Sequence, residues 1–426
     1  MKAFDYQPTF KKTVLNNGVR IVTEHHPYSR ACSAGIYVDL GSRDEPKDGF
    51  GSAHFVEHMV FKGTRQRTAM DIAKSLESVG GDLNAYTTHE FTCFHATCLR
   101  EHLHYAVDVL ADLVSGAVFD AADFDREREV ILQEIDMSAD DLEEFIFDLY
   151  FKEAYSGHAL GHSILGTPES LSKISRKQLQ DFYRERYHGP RMVVSVAGNV
   201  DHDDVVAWAE RSLNVRRKKV AKRHRRKPSL NKFREIFKRS SEQTHLLMGL
   251  PSTSFKDSHR FEAFVVNALL GGGMTSRLYQ KVREELGLAY SVYSYLHSFT
   301  DTGLLLLYAG TSEKFLAQVL DHFYKEVSKL KKSGVSGKDL DFFKTQVRGN
   351  ILLGSDDIEN RMNSLGVNEM VFGRYRSVDE IMEEIRKVSK DSVQEYIESN
   401  LDLDQASIAV IGDVDTASVR TLIESR

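Results

Sequence analysis

A repeat constrains this chain more than any other feature of its sequence. Val194-Ser-Val-Ala-Gly-Asn-Val-Asp201 leads into a helix-like segment through Ala209, and Ile408-Ala-Val-Ile-Gly-Asp-Val-Asp415 leads into another through Ile423. The two glycines, Gly198 and Gly412, are 214 residues apart in a chain of 426, almost half its length. Strand, glycine, Val-Asp is a simple pattern that two unrelated units could share by coincidence. The size of the offset favours an internal duplication. A chain of this length has room for two domains with substantial cores.

Between the repeats, Arg216 to Lys227 holds nine Lys or Arg in twelve residues and ends at Pro228. A nucleic-acid patch and a solvated linker are the two readings of such a run. No aromatic residue is interleaved to stack bases, and the net charge of −6 argues against a general nucleic-acid binder. The linker reading is preferred. It divides the chain into a first half, 1–215, a basic linker, 216–228, and a second half, 229–426.

Each half mixes strands with long helices. Lys12 to Glu24 reads as a hairpin around Asn16-Asn17-Gly18, and Cys32 to Val38 alternates as a strand. Helices are predicted at Ala69 to Val79, Glu101 to Val114 and Asp120 to Glu144. The second half repeats the style, with strands near Thr244 to Gly249 and Gly303 to Ala309 and helices through Phe261 to Leu270, Lys314 to Leu330 and Lys338 to Leu352. Hairpins with paired helices, rather than strict strand-helix-strand units, imply an α+β class: two similar halves, each an antiparallel-rich sheet with helices packed on one face.

His54-Phe55-Val56-Glu57-His58 carries the chemistry. Ala53 to Phe61 has no other polar side chain. On a helix, His54 and His58 lie about 40° apart around the axis and about 6 Å apart along it, close enough to share one metal ion. An apolar helix of this kind is buried, and three buried polar groups are costly without partners. A bound zinc with an activated water satisfies all three. A lone buried His is more often a hydrogen-bonded core residue, so the metal reading needs a third ligand. The predicted helix Asp120 to Glu144 offers one. Phe124, Ile131 and Ile135 fall on one side of it, and Glu127 and Glu134 fall on that same side. Two readings are open there: edge-of-stripe carboxylates that reach water, or a metal ligand with a supporting carboxylate.

His-x-x-Glu-His followed by Glu after 75 residues resembles the inverted zincin pattern. The text His54-Phe-Val-Glu-His-Met-Val-Phe-Lys-Gly-Thr64 is similar to the pitrilysin, insulin-degrading enzyme and mitochondrial processing peptidase family, as is Glu127-Arg-Glu-Val-Ile-Leu-Gln-Glu134. The chain resembles a short, bacterial-type member. The likeness implies two α+β halves, one zinc ion per chain held by His54, His58 and Glu134, Glu57 as general base, and Glu127 as a supporting acid. By the same likeness, Asn84 and Ala85 lie on an exposed edge strand to which substrate backbone adds. Gly271-Gly272-Gly273 resembles the substrate-touching glycine-rich loop of the processing peptidases; a flexible turn before a helix is the plainer reading. Arg283 and Tyr290 resemble the family's Arg/Tyr pair that stabilises the oxyanion.

These features together imply a zinc metalloendopeptidase acting on extended peptides. Because the zinc motif and the Arg/Tyr motif share one chain, a homodimer is expected, with Arg283 and Tyr290 of one protomer completing the zinc site of its partner. The competing reading is a non-catalytic partner subunit of a heterodimeric processing peptidase. Cys32, Cys93 and Cys98 form an odd set of thiols, and Met1 to Arg20 has no continuous apolar region. Both point to a reducing cytoplasm. No apolar run approaches the length of a membrane span, so neither a membrane nor, from the net charge, a nucleic-acid partner is expected.

Overall fold

The computed structural model describes residues 8–218 and 225–426. The middle of the expected linker, 219–224, lies outside the described residues. Residues 8–218 form strands β1 (Thr9–Val14), β2 (Arg20–His25), β3 (Ala31–Val38), β4 (Asp82–Thr87), β5 (Thr92–Leu99) and β6 (Met192–Gly198). Their helices are α1 (Ser52–Val60), α2 (Ala69–Glu77), α3 (Leu103–Gly116), α4 (Ala121–Asp140), α5 (Leu142–Ala154), α6 (Pro168–Lys173), α7 (Arg176–Arg186) and α8 (His202–Ser212). Residues 225–426 form β7 (Arg234–Lys238), β8 (Thr244–Pro251), β9 (Ala289–Ser298), β10 (Gly303–Thr311) and β11 (Ser407–Gly412). Their helices are α9 (Arg260–Leu270), α10 (Glu313–Ser333), α11 (Gly337–Ser355), α12 (Ile358–Phe372), α13 (Val378–Lys387), α14 (Lys390–Asn400) and α15 (Thr416–Glu424). No described helix is long and apolar enough to cross a membrane.

The strands make two sheets, ordered β1-β2-β6-β3-β5-β4 and β7-β11-β8-β10-β9. β2 runs parallel to β6 and β7 parallel to β11; the other pairs are antiparallel. The repeat noticed in the sequence is one structural unit used twice. β6 ends at Gly198 and β11 at Gly412, both with positive φ, and Asp201 and Asp415 then cap α8 and α15 with their side chains. The Lys12–Glu24 hairpin forms with Val14 opposite Arg20. β5 sends Cys98 into the main core of its sheet and Cys93 to the opposite face, as their odd spacing requires.

Two compact units follow the sheets, and neither is continuous in sequence. The described residues within Met1–Ile135, His162–Arg225 and Leu353–Arg376 form one, and those within Asp136–Gly161, Arg226–Leu352 and Ser377–Arg426 form the other. In the first, most helices build the large core on one face, and α12 covers the other, packing Met362 and Leu365 on Tyr37 and Val193. In the second, α5 plays that part, packing Ile146 and Tyr150 on Leu247 and Leu306. A central strand of each sheet leaves room for its visitor with a glycine. A Cβ at Gly35 would strike the Met362 sulfur, and one at Gly249 would strike the Tyr150 hydroxyl. Strands covered on both faces read as unbroken apolar runs, which is why β6 and β10 are buried throughout.

The long helix predicted from Asp120 to Glu144 is two helices. It stops at Asp140, and Asp141 caps a new one by accepting from the backbone N–H of Glu143 and Glu144. The capping oxygen competes with helix continuation, and the break frees α5 to pack on the second sheet. At the end of the basic run, Arg225 is not a solvated charge. Its guanidinium donates to Asp44, at 2.9 and 3.1 Å, and to Glu90, at 3.0 Å.

Candidate active site

The apolar residues of α1 decide where its polar ones go. Phe55, Val56, Met59 and Val60 are fully buried in the first core. Gly51 has no side chain to cap the helix, so the carboxylate of Glu45 does so, accepting from Gly51 N at 2.8 Å and Ala53 N at 2.6 Å. Phe55 stacks on Phe124 of α4 with ring centroids 4.8 Å apart. Phe124 and Ile131 are buried. That seam sets α1 against α4, and the stripe that buries Ile131 also turns Glu127 and Glu134 toward the histidines.

His54 Nε2 stands 3.7 Å from one oxygen of Glu134, and His58 Nε2 stands 3.5 Å from the other. The three donor atoms lie within 4.8 Å of one another, the one such His/Cys/Asp/Glu group found among the described residues. These separations are too long for strong hydrogen bonds. Two atoms each about 2.1 Å from a tetrahedral zinc would stand about 3.4 Å apart, close to the 3.7 and 3.5 Å by which His54 and His58 stand from Glu134. Two imidazoles and one carboxylate are also the donor set of an open, three-ligand zinc site. The residues fit the ion.

The surrounding groups orient this set. His58 Nδ1 lies 3.1 Å from Glu127 Oε2, and the other Glu127 oxygen accepts from Lys62 Nζ at 2.8 Å. His54 Nδ1 is buried without a partner. Burial pushes His54 down to about 4, with His58 adding to the effect, so it is neutral and able to coordinate at neutral pH. Burial also opposes charge on His58, but the carboxylates of Glu134 and Glu127 beside it outweigh that and raise it. The neighbouring His58 imidazole holds Glu134 below the usual carboxylate range. Burial raises Glu57, partly offset by a 2.5 Å hydrogen bond from Thr87 Oγ1. A carboxylate shifted toward neutrality is a better proton acceptor.

Thr87 lies on β4, which pairs with β5 alone and forms the edge of its sheet. Asn84 and Ala85 are on this strand; Asn84 is exposed, and its Oδ1 takes the Ala85 N–H at 2.8 Å. Neither Thr87 nor Lys62 is named as a site residue from the sequence. The only signal for Lys62 was its place one helical turn after His58. Thr87 had none, since its partner is 30 residues away.

The other expected residues gather in the second unit. Gly271, Gly272, Gly273, Arg283 and Tyr290 line one cleft of about 520 Å³. Arg283 sits on a π-helical turn, Tyr279–Glu285, with its guanidinium 4.8 Å from the Tyr279 ring and 4.9 Å from the Tyr290 ring. Tyr290 is 75% exposed at the start of β9. Gly271 ends α9, and its carbonyl accepts from Ser294 N of β9 at 3.1 Å.

A protein-family model described as "Insulinase (Peptidase family M16)" matches residues 20–168, and one described as "Peptidase M16 inactive domain" matches residues 173–347. An "uncharacterized zinc protease" of Mycobacterium leprae is 39% identical over 90% of this chain and 87% of its own. One of Bacillus subtilis is 37% identical over 90% of this chain and 93% of its own. Among solved structures, a protease from Helicobacter pylori has a TM-score of 0.88 at 18% identity, over 96% of this chain and all (100%) of its own. A "peptidase M16 inactive domain" from Pseudomonas fluorescens also has a TM-score of 0.88, at 19% identity over 95% of this chain and 98% of its own. At such identities the two structures speak for the fold.

Proposed function

This chain belongs to peptidase family M16, the insulinase family, and we propose that it is an inverted-zincin metalloendopeptidase of the short bacterial type, cutting extended peptides. The observation that carries the reading is the convergence of His54, His58 and Glu134 with Glu57 beside them. Zinc, one ion per chain, supplies when bound the Lewis acidity that lowers the pKa of water and polarises a scissile carbonyl. Glu57 accepts the proton from the attacking water and returns it to the leaving amine. Thr87 holds that carboxylate toward β4. Asn84 and Ala85 offer the strand edge to which a substrate backbone adds, so unfolded segments are taken and folded proteins are not. Glu127 holds the His58 ring through Nδ1.

Arg283 and Tyr290 carry donors suited to an oxyanion, beside a glycine loop that leaves space for backbone. We assign them to the zinc site of a partner protomer in a homodimer working in the cytoplasm, where Cys32, Cys93 and Cys98 stay free thiols. A second reading, a non-catalytic subunit of a processing peptidase, draws on the description "inactive domain" for the family model matching 173–347. The complete donor set in the first half favours the enzyme. Metal analysis and peptide digestion of wild type and Glu57→Gln test the reading. Zinc in both with cleavage by wild type alone is expected; cleavage by both would remove Glu57 as the base, and cleavage by neither would favour the second reading.

A further inference from the structure

We propose that Lys62 is a positioning residue of the metal centre, acting through Glu127 to fix the ring of His58. The inference rests on the zinc reading of His54, His58 and Glu134. Lys62 follows α1 by two residues, and its backbone N–H still donates to Met59 O at 3.1 Å. It is therefore one helical turn beyond His58 and faces the same way. Its ammonium lies 2.8 Å from Glu127 Oε1, while Glu127 Oε2 lies 3.1 Å from His58 Nδ1. The chain ammonium–carboxylate–imidazole is unbroken, and both carboxylate oxygens are used.

Glu127 is only 5% exposed. A carboxylate that deeply buried needs its charge compensated and its oxygens occupied. His58 alone satisfies one oxygen. Lys62 satisfies the other and brings the opposite charge. With Glu127 held, the His58 Nδ1–H donates to it, and the lone pair of Nε2 is left facing Glu134 and the metal position. The opposite tautomer would put a proton where a ligand lone pair is needed. His54 has no such partner at its Nδ1. Of the two imidazoles, only His58 is fixed from outside by a carboxylate, so the site leans on this one chain of contacts. The Lys62 side chain is itself 35% exposed, so removing its charge leaves no core cavity.

The test compares Lys62→Met, Lys62→Arg and Glu127→Gln with wild type and adds the double variant Lys62→Met/Glu127→Gln. Zinc affinity is read by competition with a chromogenic chelator, ligand geometry by the visible absorption of the cobalt-substituted protein, and folding by thermal melting. Lys62→Met is expected to weaken zinc by about tenfold or more and to alter the cobalt bands, with melting lowered by the uncompensated Glu127 charge but still cooperative. Lys62→Arg, which keeps the charge, should recover most of both. In the Glu127→Gln background, Lys62→Met should cost little more, because Lys62 acts through that carboxylate. Wild-type zinc affinity and cobalt bands in Lys62→Met would overturn the proposal. So would a full additional loss in the double variant, which would show that Lys62 works elsewhere. Failure of wild type to bind zinc would instead bring down the metal reading beneath it, and this proposal with it.

Discussion

The two sheets present the same frame and fill it differently. In the first unit, α1 touches edge strand β4 through the Glu57–Thr87 hydrogen bond. In the second, α9 ends against edge strand β9 through Gly271 and Ser294. α1 interrupts its apolar face with two histidines and a glutamate. α9 buries Phe261, Ala263, Val265, Val266, Leu269 and Leu270 with a single glutamate, Glu262, among them, and has no histidine. What stands by β9 instead is a guanidinium between two phenol rings. The lesson is that the frame supplies an open strand edge with a helix beside it, and a handful of side chains decide whether that place can hold a metal or an oxyanion.

The comparison is broken most directly by asking whether both halves serve one reaction. Glu57→Gln should lower the rate of peptide cleavage by about 10²–10⁴-fold with zinc retained. Arg283→Ala should lower it by about 10²–10³-fold, also with zinc retained, because its half holds no ligand. Mixing the two inactive proteins should then restore cleavage as subunits exchange, each mixed dimer having one intact pair of motifs. If each is inactive alone and exchange restores nothing, the shared-site dimer fails and the second half needs another role.

A second contrast lies in how each sheet holds its visiting helix. α12 is held by charge. Arg361 donates to both oxygens of Glu24 at 2.8 and 2.6 Å, and Lys12 reaches the buried Glu369 at 2.7 Å. α5 is held by rings, among them Tyr150 on Phe233 and Phe151 on Phe299. Burial works against the charge of Glu24, but hydrogen bonds from His26, Arg361 and Tyr375 outweigh it and bring it down to about 2 from 4.5. A group whose folded pKa is depressed stabilises the fold above its unfolded pKa, and that contribution is lost as pH falls from 4.5 toward about 2. Glu24→Gln should therefore cost about 3 kcal/mol at neutral pH and flatten the acid dependence in that window. Hydrogen exchange in wild type should rise in Ile358–Phe372 at acid pH while Leu142–Ala154 stays protected. Equal loosening of both helices would dissolve the contrast.

Local pattern made α1, the core-facing stripe of α4 and the strand-glycine-helix repeat legible, because each is a matter of period and spacing within a few turns. The joint at Asp141 was hidden, since acidic residues on both sides continue the same composition and only the cap geometry separates two helices. The exchange of α5 and α12 was hidden more deeply. A helix that covers a sheet face looks the same in sequence whichever sheet it covers, and the choice is made by shape. Arg225 was misjudged for a related reason: a charge run reads as solvated until Asp44 and Glu90 are seen to meet it.

Shape can be tested on the two glycines that admit these helices. At Gly249 an added methyl group would meet the hydroxyl of Tyr150, a rigid ring end that is 1% exposed and cannot swing away. At Gly35 it would meet the sulfur of Met362, whose flexible side chain can rotate aside. Gly249→Ala should therefore lower stability by about 1–3 kcal/mol, read as a shift in the denaturation midpoint, and Gly35→Ala by less. Restoring some of the space with Tyr150→Phe beside Gly249→Ala should recover only part of the loss, since the hydroxyl goes but the ring carbon that bore it still crowds the new methyl. A larger loss at Gly35 than at Gly249 would mean that the charged contacts of α12 fix its position more tightly than the rings fix α5, so that it cannot shift by the small amount the new methyl requires.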